Sequence, residues 1–131
     1  MDVICLDANV LFSASYSTGA TIRQLWDLPD AELVAAGYAV EEAARNLRRE
    51  PQRAELGRLM CSVRVIDYPA FTSLPGDVEL VEKDQPILLA AIHARASHLL
   101  TGDFNHFGHL YGKRISGVLI LPPAVYLRSR R

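Results

Sequence analysis

The chain has 131 residues, of which half are hydrophobic and 22% are charged, with 14 basic and 15 acidic side chains. These values predict a single globular domain over residues 1–131 and exclude a strongly basic nucleic-acid-binding protein. Twelve of the 14 basic residues are Arg, so the distribution of positive charge is more informative than the net charge of −1.

The start of the chain and its two cysteines predict a cytoplasmic protein. The first apolar run has only four residues, which is too short for a signal peptide or a membrane span. Cys5 and Cys61 form no C-x-x-C pair, so a cysteine-bound zinc is excluded and two buried free thiols are expected.

Strand-like and helix-like segments alternate along the chain. Short apolar runs predict strands over 3–6, 32–36, 63–67, 98–101 and 117–121. Apolar residues at helical spacing predict helices over 21–28, 40–47, 53–60 and 87–96. This alternation indicates an α/β domain with a mostly parallel sheet.

Two acidic residues follow predicted strands. Asp7 comes directly after the first strand, and Asp103 follows the fourth strand and Gly102, which permits a tight turn. Ligands of open parallel sheets bind at the carboxyl ends of the strands, where the strand order reverses. Two carboxylates brought there from different strands repel each other unless a cation lies between them. The pattern therefore indicates a site for Mg²⁺ or Mn²⁺, which take oxygen ligands.

Two further acidic positions have structural alternatives. Asp84 precedes a proline and an apolar helix, which is typical of a helix N-cap, and a cap can also face an anionic ligand. Glu41 and Glu42 lie about equally far from the apolar stripe of their helix, so helical geometry does not choose between them. Either glutamate also suits a solvated ion pair with Arg45 or Arg48.

Four segments occur in an order and at intervals known from one protein family. They are ICLDANVLFSA, AVEEAARNL, DQPILLAAIHARASHLLTGD and FGHLYGKRISGVLILPP. Together they resemble a PIN domain, in particular the VapC-like toxin components of bacterial toxin–antitoxin pairs. The resemblance implies a three-layer α/β/α sandwich around a mostly parallel sheet of about five strands. It also implies the strand order 3-2-1-4-5, which makes strands one and four neighbours.

The resemblance implies a ribonuclease whose acidic residues hold Mg²⁺ or Mn²⁺. The catalytic and metal-binding acids would be Asp7, Glu42, Asp84 and Asp103. Glu42 is selected over Glu41 because the helical acid of the family usually stands five residues before a Leu. A metal held there would polarise the scissile phosphate and lower the pKa of a bound water that attacks in line.

Three residues are expected to support the acids, namely Asn9, Thr101 and Asn105. Asn9 would orient a carboxylate or a water molecule on the metal, and Thr101 would donate a hydrogen bond to Asp103. Asn105 and His106 stand where many members of the family have a further acid, which weakens the expectation of a tightly held second metal. His106 and His109 are spaced H-x-x-H, but we expect loop histidines near the substrate rather than a metal-binding pair.

Basic residues are expected to hold the RNA backbone without reading its sequence. They are Arg45, Arg48, Arg49, Lys113 and Arg114. The resemblance further implies a small antitoxin as a partner and a homodimer or higher oligomer. The alternative is a PIN-like fold kept as a non-catalytic module that binds nucleic acid or protein, against which the four intact carboxylates argue.

Overall fold

The computed structural model describes residues 1–69 and 72–130, which form a six-stranded sheet flanked by helices. The strands are β1 Asp2–Leu6, β2 Ala31–Ala36, β3 Val63–Ile66, β4 His98–Leu100, β5 Arg114–Ile115 and β6 Val118–Leu121. Their order across the sheet is β3-β2-β1-β4-β6-β5. All neighbouring strands are parallel except β5 and β6, which form an antiparallel pair at one edge.

The helices connect and cover these strands. They are α1 Ala8–Tyr16, α2 Gly37–Asn46, α3 Glu50–Met60, α4 Gln85–His93, α5 Phe104–Phe107 and α6 Pro123–Ser129. Short 3₁₀ helices span Thr21–Asp27, Glu82–Asp84 and Gly108–Leu110. In the described part of the chain, no helix has the length and apolar character that a membrane crossing requires.

The predicted strand order is confirmed for the five parallel strands, and the sixth strand is an addition. β5 has only two residues, and it pairs with β6 through a two-residue turn at Ser116 and Gly117. Both turn residues have positive φ, 51° and 88°, as a type I′ hairpin turn requires. Ser-Gly is a weaker hairpin signal than Asn-Gly or Asp-Gly, which explains why the sequence did not indicate this strand.

The helices differ from the prediction in four places, one of which is the short helix α5, which was not predicted. The segment predicted as a helix over 21–28 is the 3₁₀ helix Thr21–Asp27, and α1 was not predicted. α6 was also missed, because its two leading prolines resemble a stop signal. Pro123 instead begins the helix, where a missing N–H costs nothing and the fixed φ is helical.

The core lies around β1 and α4. Ile4, Cys5 and Leu6 are fully buried because β1 is central and helices cover the sheet. Burial raises the pKa of the Cys5 thiol to about 12, so this residue behaves as a small apolar side chain. Cys61 is also a free thiol, but it is exposed at the end of α3, and the expectation that it is buried was wrong.

A polar cluster fastens α6 to the start of the sheet. The hydroxyl of buried Tyr126 donates to Asp2 Oδ2 at 2.5 Å, and Arg130 Nη1 lies 3.2 Å from the same oxygen. Arg130 also pairs with Asp30, which directly precedes β2. The ring of His98 packs edge-on against Tyr126, with the ring centroids 4.7 Å apart. The hydrogen bond from Tyr126 holds the pKa of Asp2 below its usual value.

We expect Tyr126→Phe to lower the free energy of unfolding at pH 7 by about 1.5–3 kcal/mol, the usual range for a hydrogen bond to a charged group. Asp2 is ionised at this pH, so the contribution of the bond is complete, and it is lost as the pH falls through the lowered pKa of Asp2. Urea unfolding followed by circular dichroism measures the change. Arg128→Ala, an exposed position on the same helix, is the control. Equal stability of Tyr126→Phe and wild type would show that this bond does not fasten α6.

Candidate metal centre

A cleft of about 470 Å³ opens at the carboxyl ends of β1 and β4. All four acidic residues predicted from the sequence line it, and so do several polar residues. The acids are Asp7, Glu42, Asp84 and Asp103, and the other polar side chains belong to Asn9, Ser13, Asn46 and Lys83.

The fold brings these acids together from four parts of the chain. β1 and β4 are parallel neighbours, and the Asp7 N–H donates to the Leu100 carbonyl at 3.1 Å. Asp7 therefore lies beside the turn that leads to Asp103. Glu42 comes from α2, and Asp84 comes from the 3₁₀ turn before α4, which packs against β1, β2 and β4.

Asp7 is almost completely buried, with only 5% of its surface exposed, and three donors bind its carboxylate. Its Oδ1 accepts from the Ala8 N–H at 2.7 Å. Its Oδ2 accepts from Thr101 Oγ1 at 2.7 Å and from Asn9 Nδ2 at 3.0 Å. Burial nevertheless raises the pKa of Asp7, and the nearby charges of Asp84 and Glu42 raise it further, against the hydrogen bonds from Thr101 and Ala8.

Thr101 supports a different acid from the one expected. Its hydroxyl donates to Asp7 and not to the carboxylate of Asp103. The Thr101 oxygen instead accepts from the Asp103 backbone N–H at 3.1 Å and from Asn9 Nδ2 at 3.2 Å. A hydroxyl has one proton to donate, and here the proton is directed to the buried carboxylate on the neighbouring strand.

Asp84 occupies the N-cap position of α4 but does not cap the helix. Its side chain accepts no hydrogen bond from the first turn, so the interpretation of Asp84 as a structural cap was wrong. The residue is only 7% exposed, and its Oδ2 is buried without a hydrogen-bond partner among the described residues. Burial is the main cause that raises the pKa of Asp84, and the charge of Asp103 adds to it, against the opposing effects of His106 and Lys83.

The structure separates the two adjacent glutamates of α2. Glu42 is half-buried and lines the cleft, whereas Glu41 is exposed and lies outside it. This difference follows from the rotation of the helix against its neighbours, and it matches the choice that the family resemblance implied. The role of Glu42 as a ligand stays a prediction.

Asp103 is joined to the one-turn helix α5. Its Oδ1 accepts from the His106 N–H at 3.2 Å, which makes Asp103 the N-cap of α5. The His106 ring points back toward two acids of the cleft. Its Nδ1 lies 2.6 Å from Asp84 Oδ2 and 3.1 Å from Asp103 Oδ2. Asn105 points elsewhere, being exposed beside a shallow depression that it shares with His106 and His109.

The amide of Asn9 connects the two strand ends. Besides its donations to Asp7 and Thr101, its Oδ1 accepts from the Gly102 N–H at 2.8 Å. A Cβ at Gly102 would lie 3.3 Å from this same oxygen, so the absence of a side chain permits the close approach.

Three polar residues of the cleft were not identified from the sequence. Ser13 follows Asn9 by four residues in α1, and Asn46 follows Glu42 by four residues in α2. This spacing places each pair on one face of its helix, which was an available signal. Lys83 is the neighbour of Asp84 and is the one basic side chain among the described residues that line the cleft.

The predicted RNA-contacting residues lie in two places. Arg45, Arg48 and Arg49 are exposed at the end of α2 and just after it, next to Asn46 of the cleft. Arg114 pairs with Leu119, which is level with the first residue of β4. Arg114 therefore lies near the end of the sheet where the parallel strands begin, whereas the acids lie where the strands end. Exposed Lys113 directly precedes Arg114.

The residues of the cleft fit a divalent cation that prefers oxygen ligands. Four carboxylates face one space, and a buried Asp84 oxygen there has no donor of its own. Such an oxygen is costly unless a proton or a cation meets it. Asp84, Asp103 and His106 each offer one ligand atom, and these atoms lie within 4.8 Å of one another.

Two solved structures are similar to the chain over most of its length. VapBC2 from Rickettsia felis, bound to a DNA fragment from their promoter, matches with a TM-score of 0.69 and 15% identity, covering 92% of this chain and 98% of the matched one. VapBC-1 from nontypeable Haemophilus influenzae matches with a TM-score of 0.61 and 16% identity, covering 93% and 98%. No protein-family model and no curated protein matches the sequence.

The chain shares the fold of a chain in each of these two VapBC structures. The predicted α/β architecture is thereby confirmed, and the resemblance noted from four sequence segments is confirmed for the fold. The roles of the acids stay predictions.

We expect Thr101→Val to destabilise the protein by about 1–3 kcal/mol, because the change leaves Asp7 with one donor fewer and the Asp103 N–H without its acceptor. Urea unfolding measures the loss. Thr101→Ser keeps the hydroxyl and removes only a methyl group, so it is the matched control and should lose less. A larger loss for the serine variant would assign the effect to packing rather than to these hydrogen bonds.

Asp84→Asn should leave the metal-free protein at least as stable as wild type at pH 7. A raised pKa means that folding is favoured while Asp84 keeps its proton, so this contribution is lost as the pH rises from 3.8 through the folded pKa. Asn cannot ionise and avoids that loss. Thermal unfolding in a chelator between pH 4 and 8 should show a difference that disappears toward pH 4.

Asp77→Asn, at an exposed aspartate in the loop before Asp84, is the control and should follow wild type at every pH. A clear loss of stability in Asp84→Asn at pH 7 would show that the ion pair with His106 outweighs the cost of burying the Asp84 carboxylate.

Proposed function

We propose that the chain is a metal-dependent endoribonuclease that hydrolyses RNA phosphodiester bonds. The observation that supports this proposal is the convergence of Asp7, Glu42, Asp84 and Asp103 on one cleft at the carboxyl ends of β1 and β4. This is the edge of an open parallel sheet where ligands bind. Four carboxylates that face one another suit divalent cations and the phosphates that such cations bind.

Each side chain has a distinct part in this proposal. Asp7 is fixed by Thr101 and Asn9, so its carboxylate is oriented before any ligand arrives. Asp84 and Asp103 line the same cleft. A bound Mg²⁺ or Mn²⁺ supplies Lewis-acid activation of the phosphate and of the attacking water.

The basic residues nearest to the cleft are suited to hold the RNA. Lys83 lies in the cleft lining, where its ammonium group meets a phosphate oxygen and offsets the negative charge of the acids. Arg45, Arg48 and Arg49 extend this positive surface along the end of α2. Arg114 lies toward the end of the sheet where the parallel strands begin, so we do not include it among the RNA-contacting residues.

The solved structures that share the fold support a further part of the proposal. Both are described as VapBC, and one is bound to promoter DNA. We therefore propose that this chain is the toxin of a toxin–antitoxin pair, with a small antitoxin as its partner, acting on RNA in the cytoplasm. A homodimer or higher oligomer is the expected state, which light scattering on the purified chain tests.

The adjacent glutamates of α2 provide a matched test of the catalytic proposal. With Mg²⁺ or Mn²⁺ present, we expect the wild-type chain to cleave a mixed RNA pool, and a chelator should stop the cleavage. Glu42→Gln should lower the rate by at least about a hundredfold, because even residues outside the ligand set of a metal cost roughly 10–100-fold. Glu41→Gln carries the same chemical change outside the cleft and should keep wild-type cleavage.

Two outcomes would contradict the proposal. Equal cleavage by Glu42→Gln and wild type would place the reaction outside this cleft. Absence of cleavage by a folded wild-type chain with every metal and every RNA in the pool would favour the non-catalytic binding module.

A further inference from the structure

His106 brings a nitrogen atom into a group of carboxylate oxygens. Its Nδ1 lies 2.6 Å from Asp84 Oδ2 and 3.1 Å from Asp103 Oδ2. Adjacent ligands of one octahedral cation are about 3 Å apart when metal–ligand distances are roughly 2.0–2.1 Å. The two distances from Nδ1 are therefore close to those between ligands around a single ion, and the ligand atoms of all three residues lie within 4.8 Å of one another.

The contact between His106 and Asp84 is short enough for an ion pair when the ring is protonated, but it does not have the geometry of a well-directed hydrogen bond. Neither Asp84 Oδ2 nor His106 Nδ1 has a hydrogen-bond partner within residues 1–69 and 72–130, although both atoms are buried and close together. The two atoms are close, but the geometry of their contact is not that of an N–H donor aimed at an acceptor oxygen. Asp84 as a whole is only 7% exposed, so its unpartnered oxygen is also shielded from water.

The backbone holds His106 firmly in this place. The His106 N–H donates to Asp103 Oδ1, so the ring and the backbone of one residue both approach the same carboxylate. The next residue, Phe107, is fully buried in the core and anchors α5. The ring is therefore positioned by the fold, as a ligand requires.

We infer that His106 is a metal ligand, with Nδ1 joining Asp84 and Asp103 around one divalent cation. The inference rests on the proposed function, because it assigns a ligand to the metal centre of that function. It makes the centre a mixed nitrogen and oxygen site. Imidazole binds first-row transition ions better than Mg²⁺, so His106 would bias the cleft toward ions such as Mn²⁺ over Mg²⁺.

Pulsed electron paramagnetic resonance of the Mn²⁺-loaded full chain tests this directly, since the Mn²⁺ spin couples to the nitrogen nucleus of a bound imidazole. We expect a nitrogen coupling in wild type and none in His106→Gln. His109→Gln is the matched control, because His109 is exposed and its Nε2 lies 2.6 Å from the Glu79 carbonyl, away from the acids. This control should keep the coupling.

Calorimetry on the same proteins gives a second readout. His106→Gln should weaken Mn²⁺ binding by about tenfold or more, a typical effect of disturbing a metal site, and should change Mg²⁺ binding much less. His109→Gln should bind both ions as wild type does. Thermal unfolding of each variant shows that the comparison is made on folded protein.

The outcomes separate the inference from the proposed function. Wild type that binds Mn²⁺ without nitrogen coupling overturns the role of His106, even if His106→Gln fails to fold, and leaves a carboxylate-only nuclease centre intact. A coupling that persists in His106→Gln and is lost in His109→Gln also overturns it. If wild type binds neither ion, both the inference and the proposed centre fail. Nitrogen coupling in a chain that cleaves no RNA supports the ligand and contradicts only the ribonuclease.

Discussion

The parallel pairing of β1 with β4 determines where the acids of this domain meet. Leu6 lies beside Leu100, so the chain leaves both strands at the same edge of the sheet, and the Asp7 N–H binds the Leu100 carbonyl. Thr101 then spans the gap between the strands with its hydroxyl on Asp7. If another strand lay between β1 and β4, Asp7 and Asp103 would face different spaces.

Bringing the acids together destabilises the metal-free protein, and the hydrophobic core offsets this cost. Burial and mutual repulsion raise the pKa of both Asp7 and Asp84, so the ionised cleft is destabilising without a cation. Most apolar residues of β1 and α4, the elements next to these acids, are buried in the core. Proteins commonly combine a stabilising core with a functional site that costs stability.

Features that depend on strand periodicity could be predicted from the sequence. Features that depend on tertiary contacts were predicted less well. Asp7 and Asp103 could be assigned to one edge because strand ends converge in parallel sheets. Glu42 could not be separated from Glu41 by helical geometry, since the rotation of α2 depends on its packing. The partner of Thr101 depends on an adjacent strand, and the family resemblance had implied the wrong acid. His106 was paired in sequence with His109, whereas in the fold it meets Asp84, a contact across 22 positions of the chain.

The cluster of Tyr126, Arg130 and Asp2 has a practical consequence for handling the molecule. It brings the two ends of the described chain together at the edge of the sheet where the strands begin. Five positions of extended strand separate Asp2 from Asp7, a span of roughly 16 Å. An affinity tag or a fluorescent label at either end would therefore leave the acidic cleft uncovered. Because the ends are adjacent, a short linker between them would also suit a circularly permuted form with its new termini elsewhere on the surface.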